Sequence, residues 1–517
     1  MFFDKFFKSS KKVRPNEKVR STALRRKNLS ADMNKNTVQI KRSIGNPADL
    51  VIRNINDEDK PMMVLMYLHS LVDINQLGSQ VIEPVNGYIN TSKHGINPGI
   101  LQRLLKSSEI MEYNDIHSAA EGLLNGQTLI VLPDSEKITA VSIPGFVKRP
   151  IEDSVTEKVI RGSREGFTET AADNLSLIRR WIKDPNLRVE SKIIGERTKT
   201  NVYTLYLNDV ANPDVVKELR KRLEQIKIDG IVDSGYISEL ITDSRVTFFP
   251  LVQDTERPDK VAAAILEGRV AILVDKSPFA LIVPATSNEF YQTPEDFSFN
   301  YWIGTFLRLI RFIGTATSIY LPALYLAVVT VNPELMPPYL VQLIASGRSH
   351  MPFPLVIELG ITLLIFEIFR EASVRLPGNI NVILGIGGGI VMGQGAIQAG
   401  MVGGVTVIVV VFTALASFST ANPSKEQAWR LARYFLLFAA GAFGLLGLAS
   451  AGLIILAHMG SLKSFGVSYL EPFAPPLTVD SVDAFGRLPW WASFRRPPTY
   501  RPQQEDRLGT TEGEDEA

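Results

Sequence analysis

The chain has 517 residues, 55 basic and 54 acidic side chains, a formal net charge of +1 and no cysteine. That length suits two or three domains. The missing thiols exclude disulfides, thiolate metal sites and cysteine nucleophiles. The balance of charge hides two biased ends: Lys5, Lys8, Lys11, Lys12, Arg14 and further bases at the start, and Glu505, Asp506, Glu512, Glu514, Asp515 and Glu516 at the finish. Phe2, Phe3, Phe6 and Phe7 lie too close to charges to form the apolar core of a signal peptide, so the N-terminal portion is expected in the cytoplasm. Residues 1–58 read as a basic, weakly structured arm, either a solvated tail or one attracted to anionic lipid at about 1 kcal/mol per basic residue near the surface. Nucleic acid is not expected as a partner, because no basic helix with aromatic stacking platforms follows.

From residue 59 the pattern is globular. Residues 64–68, 128–132 and 138–141 are strand-like runs, and 98–107 and 116–124 carry apolar residues at helical spacing. Together they predict a small α/β unit over 59–185. Within it, residues 161–167 (Arg-Gly-Ser-Arg-Glu-Gly-Phe) make a glycine-punctuated turn. It lacks the Gly-x-x-x-x-Gly-Lys-Ser/Thr spacing of a phosphate cradle and reads more readily as a structural linker. Residues 174–182 are a basic amphipathic helix with Arg179 and Arg180. A second α/β unit over 186–300 has strands at 189–195, 200–206, 270–274 and 280–283. Its helices lie at 213–228, where Val216, Leu219, Leu223 and Ile226 share a face, and at 258–266. The five histidines fall at no metal-ligand spacing, no nucleophile–base pattern is visible, and Gly387–Gly389 sits in an apolar run rather than a βαβ turn. Neither an enzyme nor a cofactor is expected.

The stretch 351–398 sets the class of the remainder. Residues 353–369 are apolar but for Glu358 and Glu367, and 381–400 are glycine-rich and uncharged. About 20 apolar residues cross a hydrocarbon core of roughly 30 Å. Spans are therefore expected at 305–331, 353–369, 382–400, 402–418 and 434–458. The expected fold is two small cytoplasmic α/β units followed by an all-α polytopic transmembrane bundle of about five helices over 301–460. Residues 461–517 form a C-terminal segment with an acidic tail. Arg308, Arg311, Arg370, Arg375, Lys425, Arg430 and Arg433 flank the spans on the side of the N-terminal portion, which the positive-inside bias makes cytoplasmic. Glu367, Glu371 and Arg375 share one helical face, an ion-pair belt, and Arg370 is one turn from Glu367. Glu358 is deeper and has no base in its own helix. A lone carboxyl at mid-depth would cost about 2.5–3.5 kcal/mol, so it is expected to meet water or another helix.

Several stretches together resemble the A subunit of the GerA-type spore germinant receptors. They are residues 162–167, 277–280 with Val283-Pro284, 290–292, 306–311 (Phe-Leu-Arg-Leu-Ile-Arg), 321–325 (Leu-Pro-Ala-Leu-Tyr), and 366–372 through Arg375-Leu376-Pro377. The resemblance runs from about residue 50 to Pro498. It implies a multi-pass subunit of a nutrient receptor in the spore inner membrane, surrounded by lipid. Its implied partners are further copies of itself, a transporter-like membrane subunit and a lipoprotein. It implies an oligomeric germinant-gated ion channel that triggers germination. A secondary transporter is the alternative, disfavoured because the five spans show no repeated halves.

Within that reading the third span is the candidate pore helix. At 100° per residue Gly385, Gly389 and Gly393 form a small-residue packing stripe. Gly387, Val391, Gln394 and Gln398 form an opposite face that suits either water, with Val391 the gate by dewetting, or hydrogen bonds of the two glutamines across buried helices.

Overall fold

The computed structural model describes residues 28–57, 60–91, 96–105, 109–145, 157, 159–349, 351–375, 389–476, 483–490, 493 and 495–507. The chain divides into two compact units: Met1–Pro150 with Thr170–Lys192 and Tyr203–Asn208, and Ile151–Glu169 with Ile193–Val202 and Asp209–Ala517.

In the first unit, helix α1 (Met33–Ser43) precedes strands β1 (Leu50–Asp57) and β2 (Lys60–Leu68). Helices α2 (Ile74–Leu77) and α3 (Glu83–Thr91) are joined by a π-helical turn. Then come α4 (Pro98–Leu104), β3 (Ile110–Tyr113), α5 (Ile116–Leu124), β4 (Gln127–Val131), β5 (Ile138–Ser142) and α6 (Ala171–Trp181). The five strands form an antiparallel sheet in the order β1–β2–β4–β5–β3. Side chains alternate across a strand. Met63 and Leu65 of β2 therefore meet Val81, Val85 and Leu101 on one face, while Val64 and Met66 meet Ile40, Ile116 and Ala120 on the other. Because helices cover both faces, 64–68 and 128–132 read as continuous apolar runs rather than alternating ones.

The expected basic arm needs correcting. Asp32 caps α1 by accepting from the amides of Asn34 and Lys35, and Met33, Ile40 and Ile44 are buried beneath the sheet's apolar side chains. Residues 28–57 thus belong to the packed layers. Of that arm, residues 1–27 and residue 58 lie outside the described residues, as does the acidic tail from 508. The basic face of α6 is also partly internal. Arg179, 2% exposed, holds the Asp49 carboxylate through Nε at 2.8 Å and Nη2 at 2.6 Å, and Ser70 Oγ donates to the same carboxylate at 2.6 Å. A bidentate guanidinium with a further donor is the arrangement that offsets the desolvation of a buried carboxylate.

A second sheet contains β6 (Leu187–Ile194), β7 (Thr200–Leu207), β8 (Gln253–Thr255), β9 (Val270–Val274) and β10 (Ala280–Val283), in the order β6–β7–β9–β10–β8. Helices α7 (Pro213–Gln225), α8 (Ser234–Ile241) and α9 (Pro258–Leu266) accompany it. The glycine-punctuated turn at 161–167 is tied to the start of α9: buried Arg257 donates to Ser163 O at 2.8 Å, and Phe167 N donates to Glu256 O at 2.8 Å. At the start of α8, burial pushes the Asp233 carboxyl up. The Ser277 hydroxyl and the Gly235 and Ser234 amides outweigh it and hold the group below its ordinary value.

The helical part of the second unit starts with the short α10 (Glu295–Ser298) and continues as α11 (Tyr301–Thr330), α12 (Pro338–Arg348), α13 (Leu355–Val374), α14 (Gly389–Gln398), α15 (Gly404–Ser417) and α16 (Pro423–Ser461). A two-strand hairpin, β11 (Lys463–Ser464) and β12 (Val467–Ser468), follows. Five helices overlap the five expected spans. Among the described residues only α11 and α16 are long and apolar enough to cross a membrane by length and composition. The difference has plain causes. Glu358, Glu367, Arg370 and Glu371 all fall within the 20 residues of α13. At 1.5 Å per residue, the 14 residues of α15 extend only about 21 Å.

Helix α16 is broken at Gly444, which has φ 60° and ψ −140°. A Cβ there would stand 2.5 Å from Asn332 Oδ1 and 2.6 Å from Val331 Cγ1, so both the backbone and the space demand glycine. Asn332 Oδ1 accepts from Leu445 N at 3.1 Å and so satisfies one of the amides freed by the break.

Candidate functional site

Two clusters of charged side chains in the helical part lie toward the two ends of α13. At its start, Glu358 is buried, with no exposed side-chain surface. Its Oε2 accepts from Arg348 Nη1 at 2.7 Å, and its Oε1 accepts from Gly403 N at 2.7 Å. Gly403 is the N-cap position of α15, and a helix start offers amides without intrahelical partners and a positive dipole end. The carboxylate is therefore neutralised by the C-terminal arginine of α12 and the N-terminus of α15. Its base lies in a different helix from its own, ten residues earlier, so helical spacing within α13 does not reveal Arg348. A Cβ on Gly403 would lie 3.3 Å from Glu358 Oε1, so the small residue is part of the site.

Toward the other end, Glu367 faces α16 rather than its own helix: Arg430 Nη1 donates to Glu367 Oε2 at 2.8 Å, and Arg433 Nη1 is 3.7 Å from Oε1. Arg370, expected one turn from Glu367, turns instead to Glu426 and lies over the Phe418 ring. Glu371 and Arg375 form an exposed i,i+4 pair at 2.5 Å. The belt foreseen along one helix is thus mostly an interhelical cluster of α13 and α16.

Of the candidate pore face, Gln394 and Gln398 are exposed on α14, while Gly393 lies against α15, where an added Cβ would be 3.7 Å from Val407 Cγ1. Gly385 and Gly387 lie outside the described residues. Gly389 and Val391 are placed only as helical backbone.

A further cluster escaped sequence reading. Asn422 caps α16, accepting from Lys425 N, and donates through Nδ2 to Asp254 Oδ1 at 3.1 Å; Ser424 Oγ donates to Asp254 Oδ2 at 2.9 Å. Lys425 is fully buried. Its Nζ donates to Ser287 Oγ at 3.0 Å and Tyr469 OH at 2.7 Å, among the rings of Phe249, Phe290, Trp429 and Tyr469 at 4.5–5.6 Å. Burial holds the Tyr469 phenol well above its usual range, so it stays neutral. Trp429 Nε1 donates to Tyr291 OH at 2.9 Å. Phe249, Leu251 and Phe290 share one apolar core with Ile319 and Ala323 of α11 and with Trp429 and Leu436 of α16. Arg308 and Arg311, read as membrane-flanking charges, both bind Asp296, the first at 3.4 Å. The signal that was available is the run Asn422-Pro423-Ser424, an N-cap with proline at the first helical position.

This arrangement holds charges inside a helical assembly, and no nucleophile–base pair is part of it. Among the described residues no group of three or more His, Cys, Asp or Glu is placed to hold a metal ion.

Three comparisons place these features. Spore germination protein KA of Bacillus subtilis (strain 168) is 37% identical over 93% of this chain and 89% of its own length. Spore germination protein B1 of the same organism is 33% identical over 93% and 99%. The crystallised N-terminal domain of the A subunit of the Bacillus megaterium spore germinant receptor GerK3 is 32% identical, covering 50% of this chain and 97% of that one, with a TM-score of 0.40. The family model for the Bacillus/Clostridium GerA spore germination protein matches residues 38–499. With that match over most of its length, the chain belongs to the GerA spore germination protein family.

Proposed function

We infer that this chain is the A-type subunit of a nutrient germinant receptor of the spore inner membrane, and that copies of it assemble into an ion channel opened by germinant to trigger germination. Family membership supports the receptor role. The observation that carries the channel role is the exposure of Gln394 and Gln398 on α14, a helix otherwise built of glycine and apolar residues. An amide facing hydrocarbon without a partner is costly. These side chains therefore need water or a neighbouring copy, and a ring of identical helices around an aqueous path supplies both. Val391, on the same helix, is the proposed hydrophobic gate. Gly393 packs against α15 beside Val407.

In this reading five helices cross the membrane, the N-terminal portion is cytoplasmic, and lipid surrounds the bundle. A transporter-like subunit and a lipoprotein complete the receptor, and the chain performs no catalysis. Conductance of the purified protein in planar bilayers, with and without its co-expressed partners, tests the channel role. Discrete, cation- or anion-selective openings that increase with germinant support it. Bilayers that stay silent with the whole receptor present and germinant added contradict it.

A further inference from the structure

The Glu367 cluster is short of acceptors. Six buried polar atoms in it have no hydrogen-bond partner: Glu367 Oε1, Arg370 Nε, Arg430 Nε, Arg433 Nε and Nη2, and Tyr434 OH. Four of these are guanidinium donors, and a buried charged donor left unbonded is among the costlier defects a fold can carry. Arg433 is the extreme case. Its side chain is 2% exposed, and its ion pair with Glu367 is 3.7 Å long, beyond hydrogen-bond reach. The charges do not cancel either: three guanidinium groups (Arg370, Arg430, Arg433) against two carboxylates (Glu367, Glu426) leave +1. These groups form one electrostatic cluster, since Tyr434 interacts with Glu367, Arg433, Arg430 and Arg370 alike.

We propose that this cluster between α13 and α16 binds a phosphate-type oxyanion, carried by a phospholipid headgroup or present as free phosphate. Such an oxyanion accepts from the unbonded donors of Arg433 and Arg430. A phosphodiester brings exactly the missing type of charge, one negative unit, and planar guanidinium groups suit it geometrically. Glu367 keeps its 2.8 Å bond to Arg430 and Glu426 keeps Arg370, so neither carboxylate has to be displaced. Access is from the side of Arg430, the most exposed of the three arginines at 24%. Ile368, Leu431 and Phe435, beside the cluster in sequence, are 61%, 60% and 48% exposed and offer an apolar surface to an acyl chain. Basic pockets between membrane helices on the cytoplasmic side are a recurrent headgroup site.

The test uses the purified full-length protein and its thermal midpoint. In one arm, protein in a phosphate-free detergent receives phosphatidylglycerol or, as the control, the phosphate-free lipid diacylglycerol. In the other, detergent-solubilised protein receives inorganic phosphate or chloride at equal ionic strength. A rise of about 3 °C or more is expected from at least one oxyanion source. It should be lost in Arg430→Gln and in Arg433→Gln and kept in Arg197→Gln, which alters an exposed ion pair elsewhere. A rise with phosphatidylglycerol alone assigns the headgroup; a rise with inorganic phosphate alone assigns the free anion. No rise from either source, an equal rise with chloride, or a rise that survives in both cluster variants overturns the proposal. If Arg433→Gln does not fold, Arg430→Gln decides.

Discussion

The two ends of α13 use the same chemistry and finish it differently. At the Glu358 end every charge is met: one carboxylate, one guanidinium and one helix-terminal amide, all at 2.7 Å. At the Glu367 end three arginines share two glutamates, and donors are left over. The difference teaches what each end is for. A closed, charge-balanced site fixes the positions of helices, here the ends of α12 and α15 around α13. A site with surplus donors is built to accept something else. A buried ion pair contributes little net stability, yet removal of one partner is expensive, so the first end should be brittle and the second tolerant.

The largest effect is expected at the closed end. Arg348→Gln leaves the Glu358 carboxylate with one amide, and it should cost about 3–5 kcal/mol, read as a lowered thermal midpoint and reduced protein in membranes. Glu358→Gln should cost less, because the amide oxygen can still accept from Gly403 N. Next comes Gly444→Ala, near where α11 ends. It forces a side chain into a backbone conformation reserved for glycine and against Asn332, a loss of about 2–3 kcal/mol by the same measurement. A pH titration sharpens the contrast from outside the helices. Burial first, and the neighbouring Glu289 second, raise the Glu267 carboxyl from 4.5 to about 7. The folded state therefore favours the protonated form. Its stabilisation is complete below about pH 4.5 and is lost as pH rises through about 7, and Glu267→Gln should flatten that decline in the thermal midpoint. The smallest effect belongs to the exposed pair: Arg375→Ala should change stability by less than about 0.5 kcal/mol.

How much was legible followed from where each signal resides. Local patterns carried the α/β elements well. Residues 116–124 and 258–266 are helices over those bounds, and 270–274 and 280–283 are strands, because their periodicity and flanking Asp, Pro and Gly residues all agree. Helix α1 was hidden because Lys35, Lys41 and Arg42 surround only a few inward positions, and a composition-based reading weights the charges. The carboxylates of α13 were visible as costly, but their partners were not: Arg348, Gly403, Arg430 and Arg433 come from other helices, and helical spacing relates residues only within one. Lys425 was counted as a flanking base. Its burial depends on Ser287, Phe290 and Tyr469, far away in the chain, which nothing local to residue 425 announces.

In the proposed receptor the glutamine face of α14 lines the ion path. The natural chain has no cysteine, so a single introduced thiol is the only one in it. The direct measurement is modification of Gln394→Cys and Gln398→Cys by a membrane-impermeant, water-soluble thiol reagent in receptor-containing membranes, with and without germinant. Reaction at both positions, faster with germinant and accompanied by a change in conductance, is the predicted result. Protection of both thiols in the closed and in the opened receptor would contradict it.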